Sequence, residues 1–173
     1  VSAAASANSV KLSWDAVTGA EGYAIYNADN DLIAKTRQTA YTIKKLKSMK
    51  IYTYKVRPYV VSDGATYYGE FSNTLTVVTT PAKTTVKTVS ANSSVKLTWK
   101  KIKRVSGYVV YRATSKKGKY KKIKTLKKAS KTTYTNKNLK AGKTYYYKVR
   151  AYRKVKGKKV YGSYSKVKAV RVR

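Results

Sequence analysis

The chain has 173 residues, of which 42% are hydrophobic, and it carries 40 Lys and Arg against 6 Asp and Glu, a formal net charge of +34. It contains no Cys and no His, which excludes disulfides, thiolate or imidazole metal sites, cysteine nucleophiles and histidine-based catalytic triads. The hydrophobic share is large enough for a packed core, and no apolar run approaches the roughly 18 residues of a membrane-spanning helix.

The first half of the chain alternates apolar and polar residues over short stretches, which predicts β-strands. Val10, Leu12 and Trp14 fall on one face of an early strand, and "GYAIY" (Gly22–Tyr26) is the next apolar stretch. Asp63-Gly64 separates two later alternating runs, as in a hairpin turn. No segment keeps the 3.6-residue period of a helix, so the pattern is that of a β-protein.

These stretches recur later in the chain. "SVKLSW" returns as "SVKLTW" (Ser94–Trp99) and "GYAIY" as "GYVVY" (Gly107–Tyr111), both 85 residues on. Beyond them the offset is 93, since "YKVRPY" (Tyr54–Tyr59) returns as "YKVRAY" (Tyr147–Tyr152). The 8 added residues fall in a longer loop before Tyr134. The chain is therefore a duplicated unit.

The seam of the duplication is Thr79-Thr80-Pro81-Ala82, because Pro has no N–H to donate to a strand ladder. We therefore expect two tandem domains, residues 1–80 and 81–173. Each unit is somewhat shorter than about 100 residues and contains short alternating strands, with turns roughly every 8 to 12 residues. These features predict an all-β fold of two tandem antiparallel β-sandwiches. The chain begins at Val1 without Met, and we expect it to be a piece of a larger parent polypeptide.

The charge is divided unevenly between the two repeats. All six acids and nine basic side chains lie in residues 1–80, which leaves +3 there. Residues 81–173 carry the other 31 basic side chains and no acid. So many like charges on one small domain repel one another and should lower its stability at low salt.

The order of three motifs in each repeat resembles that of the fibronectin type III domain. A Trp ends the second strand, Gly-Tyr-x-x-Tyr opens the third, and a Leu is followed six residues later by a Tyr, at Leu46 and again at Leu139. In the family this Tyr is a tyrosine corner, whose hydroxyl bonds to nearby backbone. The resemblance covers both repeats and implies these structural roles: core tryptophans Trp14 and Trp99, corner tyrosines Tyr52 and Tyr145.

The lysine-rich style is similar to that of such domains in secreted and wall-associated proteins of Gram-positive bacteria. The resemblance implies a non-catalytic extracellular structural or interaction module, a spacer or tether, with no cofactor and no metal. Some members carry Arg-Gly-Asp in one loop, but the equivalent loops here, residues 62–65 and 156–159, lack it. The alternative is a carbohydrate-binding accessory module of a glycan-degrading enzyme.

Catalytic and metal-binding patterns are weak. The second repeat has no carboxylate for acid–base chemistry, and we expect no enzyme activity. The segment "NADND" (Asn27–Asp31) has two Asp separated by one residue, like the start of a calcium loop, but it lacks the Gly and the distal Glu of such a loop. We interpret it as an Asx-rich turn.

The strand "YYYKVRAY" (Tyr145–Tyr152) carries a candidate binding surface on the face opposite the core, to which the neighbouring strand adds a tyrosine. The candidate residues are Tyr111, Tyr146, Lys148, Arg150 and Tyr152. Such a face could bind an anionic polymer, or it could cover the sheet by cross-strand packing. The first repeat has the same residue types (Tyr26, Lys55, Arg57, Tyr59), which favours the packing role.

Lysine pairs in the second repeat have no counterpart in the first: Lys116-Lys117, Lys121-Lys122, Lys127-Lys128 and Lys158-Lys159. We expect them to contact a polyanion, either an anionic cell-wall polymer or an acidic glycan, and nucleic acid only non-specifically. Composition bias and solubility are the alternatives. The expected location is extracellular, either secreted or cell-wall associated.

Overall fold

Each half of the chain folds into two antiparallel β-sheets with a core between them. The computed structural model describes residues 1–155 and 157–173, so the Lys156 position of the turn predicted at Lys156-Gly157 lies outside the described residues. The chain divides into two compact units, Val1–Thr79 and Thr80–Arg173. The predicted all-β class with two antiparallel sandwiches is confirmed.

The first unit contains eight strands: β1 (Ser2–Ala5), β2 (Val10–Ser13), β3 (Gly22–Asn27), β4 (Leu32–Thr36), β5 (Ala40–Ile43), β6 (Ile51–Ser62), β7 (Ala65–Tyr68) and β8 (Leu75–Val78). One sheet has the order β1-β2-β5. The other has the order β4-β3-β6-β7, and β8 also pairs with β6.

The second unit repeats this arrangement with β9 (Val86–Ala91), β10 (Ser94–Trp99), β11 (Gly107–Ala113), β12 (Lys121–Leu126), β13 (Thr133–Asn136), β14 (Thr144–Val155), β15 (Lys158–Tyr161) and β16 (Lys168–Arg171). Its three-stranded sheet has the order β13-β10-β9. Its five-stranded sheet has the order β12-β11-β14-β15, with β16 also paired to β14. Among the described residues, no helix has the length and hydropathy to cross a membrane.

The core of each unit is built from every second residue of its central strands, because side chains alternate between the two faces of a sheet. Burial of one such aliphatic or aromatic side chain contributes about 1.5–3 kcal/mol. The buried residues of the first unit include Val10, Leu12, Tyr23, Ile25, Tyr54 and Val56. Those of the second include Val95, Leu97, Tyr108, Val110, Tyr147 and Val149.

The tyrosines at the implied corner positions bond to backbone five residues upstream. The backbone N–H of Lys47 donates to the Tyr52 hydroxyl at 2.9 Å. In the second unit the N–H of Lys140 donates to the Tyr145 hydroxyl at 3.3 Å. Each bond ties the loop before the longest strand of its unit to that strand.

A second pair of tyrosines holds the loop before the third strand of each unit. The N–H of Val17 donates to the Tyr23 hydroxyl at 2.8 Å, and the N–H of Ile102 donates to the Tyr108 hydroxyl at 2.8 Å. Each ring also lies 5.4 Å, centroid to centroid, from the tryptophan of its unit. That tryptophan is half-buried in the first unit and buried in the second. Sequence reasoning did not find these two hydroxyl contacts.

The two units differ in one buried polar contact. In the second unit the Asn136 side-chain amide donates to the Tyr147 hydroxyl at 2.9 Å, and both residues are buried. The strand register puts Ile43 at the matching place in the first unit. There the Tyr54 hydroxyl is buried, with no hydrogen-bond partner in the part of the chain that the structure describes. Burial raises the pKa of Tyr54 to about 12, so this hydroxyl stays neutral.

We expect removal of these two hydroxyls to have different effects. Tyr147→Phe leaves the Asn136 amide buried without its acceptor and should destabilise the second unit by about 1–3 kcal/mol. Tyr54→Phe removes a hydroxyl that already lacks a partner, and the first unit should be unchanged or more stable by up to about 1 kcal/mol. Amide hydrogen exchange of the full chain, with peptides assigned to each unit, measures both. Equal losses in the two variants would contradict this account.

Candidate functional site

Arg150 lies on the outer face of the five-stranded sheet of the second unit. Its Nε and Nη2 donate hydrogen bonds to the Tyr111 hydroxyl at 3.1 and 2.7 Å. The guanidinium carbon is 3.9 Å from the ring centroid of Tyr161 and 4.6 Å from that of Tyr164. The guanidinium therefore has hydrogen-bond and cation–π partners inside its own unit.

The Lys148 ammonium lies near two rings on the same face. Its Nζ is 4.2 Å from the ring centroid of Tyr120 and 4.0 Å from that of Tyr164. Tyr164 also packs edge to face with Tyr111, with the centroids 5.2 Å apart. We refer to this arrangement as the tyrosine–cation ladder, and its members are Lys148, Arg150, Tyr111, Tyr120, Tyr161 and Tyr164.

The exposure predicted for two candidate binding residues is wrong. Tyr111 is 9% exposed and Tyr152 is 1% exposed, although both lie on the outer face. The half-buried Tyr120, Tyr161 and Tyr164 pack against this pair, and the Tyr152 and Tyr161 rings lie 6.1 Å apart. Strand alternation gives the direction of a side chain but not the layer that covers it. A ligand on this face would therefore meet the covering layer and not these two rings.

The remaining predicted site residues lie in three separate places. Tyr146, Lys148 and Arg150 are half-buried on β14. The pair Lys116-Lys117 is exposed in the loop between β11 and β12. The pair Lys158-Lys159 is exposed at the start of β15, at the opposite end of the sheet. The structure therefore does not bring the predicted residues together into one site.

The first unit builds the same arrangement from equivalent residues. Arg57 donates from Nε and Nη2 to the Tyr26 hydroxyl at 3.2 and 2.7 Å. Its guanidinium carbon is 3.9 Å from the Tyr68 centroid and 4.6 Å from the Phe71 centroid, and Lys55 Nζ is 3.9 Å from the Phe71 centroid. Since these distances match those of the strongly basic unit, the arrangement supports the packing role for this face.

Three tyrosines on this face do not act as counter-ions. Burial raises the pKa of Tyr120, Tyr152 and Tyr164. These hydroxyls therefore stay neutral at physiological pH. The ladder gives two cations aromatic partners but leaves the net charge of the second unit unchanged.

The segment Asn27–Asp31 forms an Asx turn. The Asn27 side-chain oxygen accepts the backbone N–H groups of Asp29 and Asp31, both at 2.9 Å. The Asn27 side-chain amide donates to the Asp31 carboxylate at 2.8 Å. In the described part of the chain, no three His, Cys, Asp or Glu side chains come together as a possible metal site.

A shallow groove of about 290 Å³ lies at one end of the first unit. Its walls include Val17, Pro58 and Tyr59 together with two exposed tyrosines, Tyr67 and Tyr68. Tyr67 is 59% exposed, which makes it more accessible than any tyrosine of the tyrosine–cation ladder. Lys35 Nζ lies 5.2 Å from the Tyr68 centroid, and this ammonium group beside the Tyr68 hydroxyl lowers the pKa of Tyr68.

These units define a tandem of immunoglobulin-like β-sandwich modules, each with two packed sheets and loops held by tyrosine hydroxyls. Residues 79–164 match the family model "Fibronectin type III domain" and belong to that family. The first unit repeats their motifs and their fold. The family predicted from the sequence is therefore confirmed, and domains of this family are generally structural or interaction modules.

A solved structure of two tandem domains shows the same fold. A two-domain fibronectin type III segment of chicken tenascin is similar at 13% identity and a TM-score of 0.52, covering 99% of this chain and 97% of that one. The FN1–FN3 domains of chicken CNTN1 are similar at 16% identity and a TM-score of 0.47, covering 98% of this chain. The chain spans 64% of the length of that CNTN1 segment. No curated protein matches the chain.

We expect Arg150→Ala to destabilise the second unit by about 1–3 kcal/mol, because it removes a charged hydrogen-bond pair and a stacked cation. Arg150→Lys keeps the charge but lacks the planar fork, and it should lose most of the same stability. Urea unfolding followed by hydrogen exchange measures the effect in each unit.

Two controls frame this prediction. Arg57→Ala should have a similar effect on the first unit, and Lys116→Ala, at an exposed loop position, should stay within about 0.5 kcal/mol of the wild type. A second unit as stable in Arg150→Ala as in the wild type would show that the tyrosine–cation ladder is not part of the scaffold.

Proposed function

We propose that the chain is a non-catalytic extracellular module of a bacterial cell-surface or secreted protein, where it acts as a spacer or tether. In this proposal the second unit contacts anionic polymers of the cell envelope. The observation that carries the proposal is the charge of the second repeat, which has 31 basic side chains and no carboxylate side chain.

The composition of the second repeat supports this proposal, because it contains no Asp or Glu that could pair with those charges. The tyrosine–cation ladder engages Lys148 and Arg150 with rings and a hydroxyl. The loop lysines project into solvent. A bound polyanion would supply the missing negative charge and would release its own counter-ions, which favours association at low salt.

The fold supports a non-catalytic role for the chain in this proposal. Fibronectin type III domains generally space or bind, and they often lie outside the cell. The outer face of the five-stranded sheet is packed with its own aromatic and basic side chains in both units, which fits a structural role. We assign the first unit a spacing role, since its net charge is only +3.

We expect the full chain to bind isolated Gram-positive cell walls and to be released by about 0.5 M salt, where the Debye length falls to about 4 Å. Co-sedimentation with walls over a salt series measures this release. Walls from which the phosphate polymer has been extracted provide the control and should bind less. Binding that persists in high salt, or that is unchanged by the extraction, would refute the electrostatic contact.

A second candidate function is the binding of a neutral carbohydrate, and the groove of the first unit favours it. Sugar rings stack on exposed tyrosine faces in apolar clefts with a few polar groups. Tyr67 offers such a face, and Lys35 lies beside the neighbouring Tyr68 as a donor. This function would assist a glycan-degrading enzyme and would not depend on the charge of the second unit.

If this second function holds, a glycan array probed with the full chain should give a hit that survives 0.5 M salt, where charge-driven binding is screened with a Debye length of about 4 Å. Tyr67→Ala should lose that hit by about tenfold or more, because it removes the stacking face. Tyr67→Phe keeps the ring and should retain most of the binding. An array that is flat in high salt would dismiss carbohydrate binding.

A further inference from the structure

We propose that one end of the second unit, and not its sheet face, is the surface that binds the anionic polymer, and that the polymer is a flexible phosphodiester chain without bases. This inference rests on the proposed function and assigns it a place and a ligand class. The surface is made of three parts: the loop 100–106, the loop 127–132 and the described residues at the paired ends of β14 and β15. We refer to it as the basic loop end.

Hydrogen bonds and strand register bring these three parts together. The N–H of Ser106 donates to the Tyr152 carbonyl at 2.8 Å, and the N–H of Lys154 donates to the Ser106 hydroxyl at 2.9 Å. The N–H of Trp99 donates to the Thr132 carbonyl at 2.9 Å. The first loop is therefore tied to both the end of β14 and the second loop.

The basic loop end concentrates positive charge that the first unit does not have. Its described residues include eleven cations: Lys100, Lys101, Lys103, Arg104, Lys127, Lys128, Lys131, Arg153, Lys154, Lys158 and Lys159. The same end of the first unit, residues 14–21, 37–39 and 61–65, has three acids and one Arg. Duplication of the fold has thus been accompanied by a reversal of charge at this end.

The charge at the opposite end changes much less between the repeats. In the first unit its loops, residues 28–31 and 44–50, hold four lysines and two acids. In the second unit the loops 114–120 and 137–143 hold six lysines. A general bias toward lysine would raise the positive charge at both ends alike. The unequal change favours a specific use for the basic loop end.

Arg104 provides a second, independent observation. It has a left-handed backbone, with φ +60°, at the position that Gly19 occupies with φ +79° in the first unit. A left-handed conformation is roughly tenfold less favourable for a non-glycine residue in the folding equilibrium. A Cβ at Gly19 would meet no atom within 4 Å, so the backbone conformation alone sets this difference. The second unit keeps a cation where glycine would be more stable.

The chemistry of the surface selects the ligand class. Nine of its eleven cations are Lys, which binds phosphate as a point charge and does not use the bidentate fork of Arg. Among the described residues of the second unit, the exposed large hydrophobic side chains are Val89 and Val167, with no aromatic ring among them. Single-stranded nucleic acid binding relies on such rings for base stacking. A phosphodiester chain without bases fits this surface better.

Two matched variants of the full chain test the placement. One changes six exposed lysines of the basic loop end to Gln: Lys100, Lys101, Lys103, Lys127, Lys128 and Lys158. The other changes six exposed lysines of the opposite end to Gln: Lys116, Lys117, Lys119, Lys137, Lys140 and Lys143. Both lose the same charge, and none of the twelve belongs to the tyrosine–cation ladder. Affinity for synthetic poly(glycerol phosphate) is measured by titration over a salt series.

The first variant should lose about 100-fold or more in affinity at low salt, and its log–log salt slope should flatten by about four, since each phosphate contact contributes about 0.7 for a single chain. The second variant should lose less than about tenfold, through weaker long-range attraction alone. Equal losses, or a larger loss in the second variant, would overturn the placement while leaving the proposed function intact. Absence of wild-type binding would overturn both.

Two further ligands test the ligand class. Oligo(dT) and poly-L-glutamate of matched charge number should each bind the wild-type chain more weakly than poly(glycerol phosphate). Tighter binding of oligo(dT) would identify a nucleic-acid surface and reject the assignment. Equal binding of poly-L-glutamate would reject the phosphodiester preference.

Arg104→Gly provides a variant that we expect to be more stable than the wild type, so that unfolding would not explain a loss of binding. It should raise the folding equilibrium constant of the second unit by roughly tenfold, because it relieves the left-handed Arg, and it should weaken binding of poly(glycerol phosphate) by about threefold or more. Gly19→Arg is the reverse substitution at the equivalent position of the first unit. It should lower the stability of that unit without creating a binding site for poly(glycerol phosphate). An Arg104→Gly chain that binds as tightly as the wild type contradicts the assignment.

Discussion

The contact on which the second unit depends is the one between Arg150 and the rings around it. In a unit with no carboxylate, a guanidinium on the sheet has only hydroxyls, carbonyls and aromatic faces as internal partners. Arg150 uses the Tyr111 hydroxyl and the faces of Tyr161 and Tyr164. These contacts fix the segment that follows β15, which in turn covers the outer face. The unit thereby closes its second layer without a salt bridge.

Comparison of the two repeats distinguishes contacts that maintain the fold from features that are specific to one unit. This comparison requires no other sequence. Contacts that recur between equivalent residues in both units belong to the scaffold. They include the tyrosine corners and the contacts of the tyrosine–cation ladder. They also include a serine in each unit, Ser72 and Ser165, whose hydroxyl accepts a backbone N–H from the central strand at 3.0 Å. Features present in one unit alone include the buried Asn136, the left-handed Arg104 and the lysine loops. The last two lie at the surface, where a difference between repeats can alter binding without altering the core.

The sequence was sufficient for the fold, because a strand period of two and an internal repeat are both one-dimensional patterns. It predicted which residues of β14 face the core, and Tyr147 and Val149 are buried as expected. It could not predict that Tyr152 is covered, since the covering Tyr161 comes from a neighbouring strand whose path depends on tertiary packing. The sequence also could not predict the Tyr147–Asn136 contact, because this contact joins two different sheets and depends on tertiary packing. The replacement of Gly19 by Arg104, in contrast, was visible once the repeats were aligned.

The placement of charge also explains how so basic a unit can fold. At physiological salt, exposed charges more than about 8 Å apart are largely screened, so repulsion is strongest among neighbours within one group of loops. On the sheet face, cation–π contacts with the surrounding rings offset part of this repulsion. Repulsion also acts among the eleven described cations of the basic loop end, where a bound polyanion would relieve it. A ligand that binds only the folded unit stabilises that unit by mass action, so binding at this end would also offset the electrostatic cost of folding.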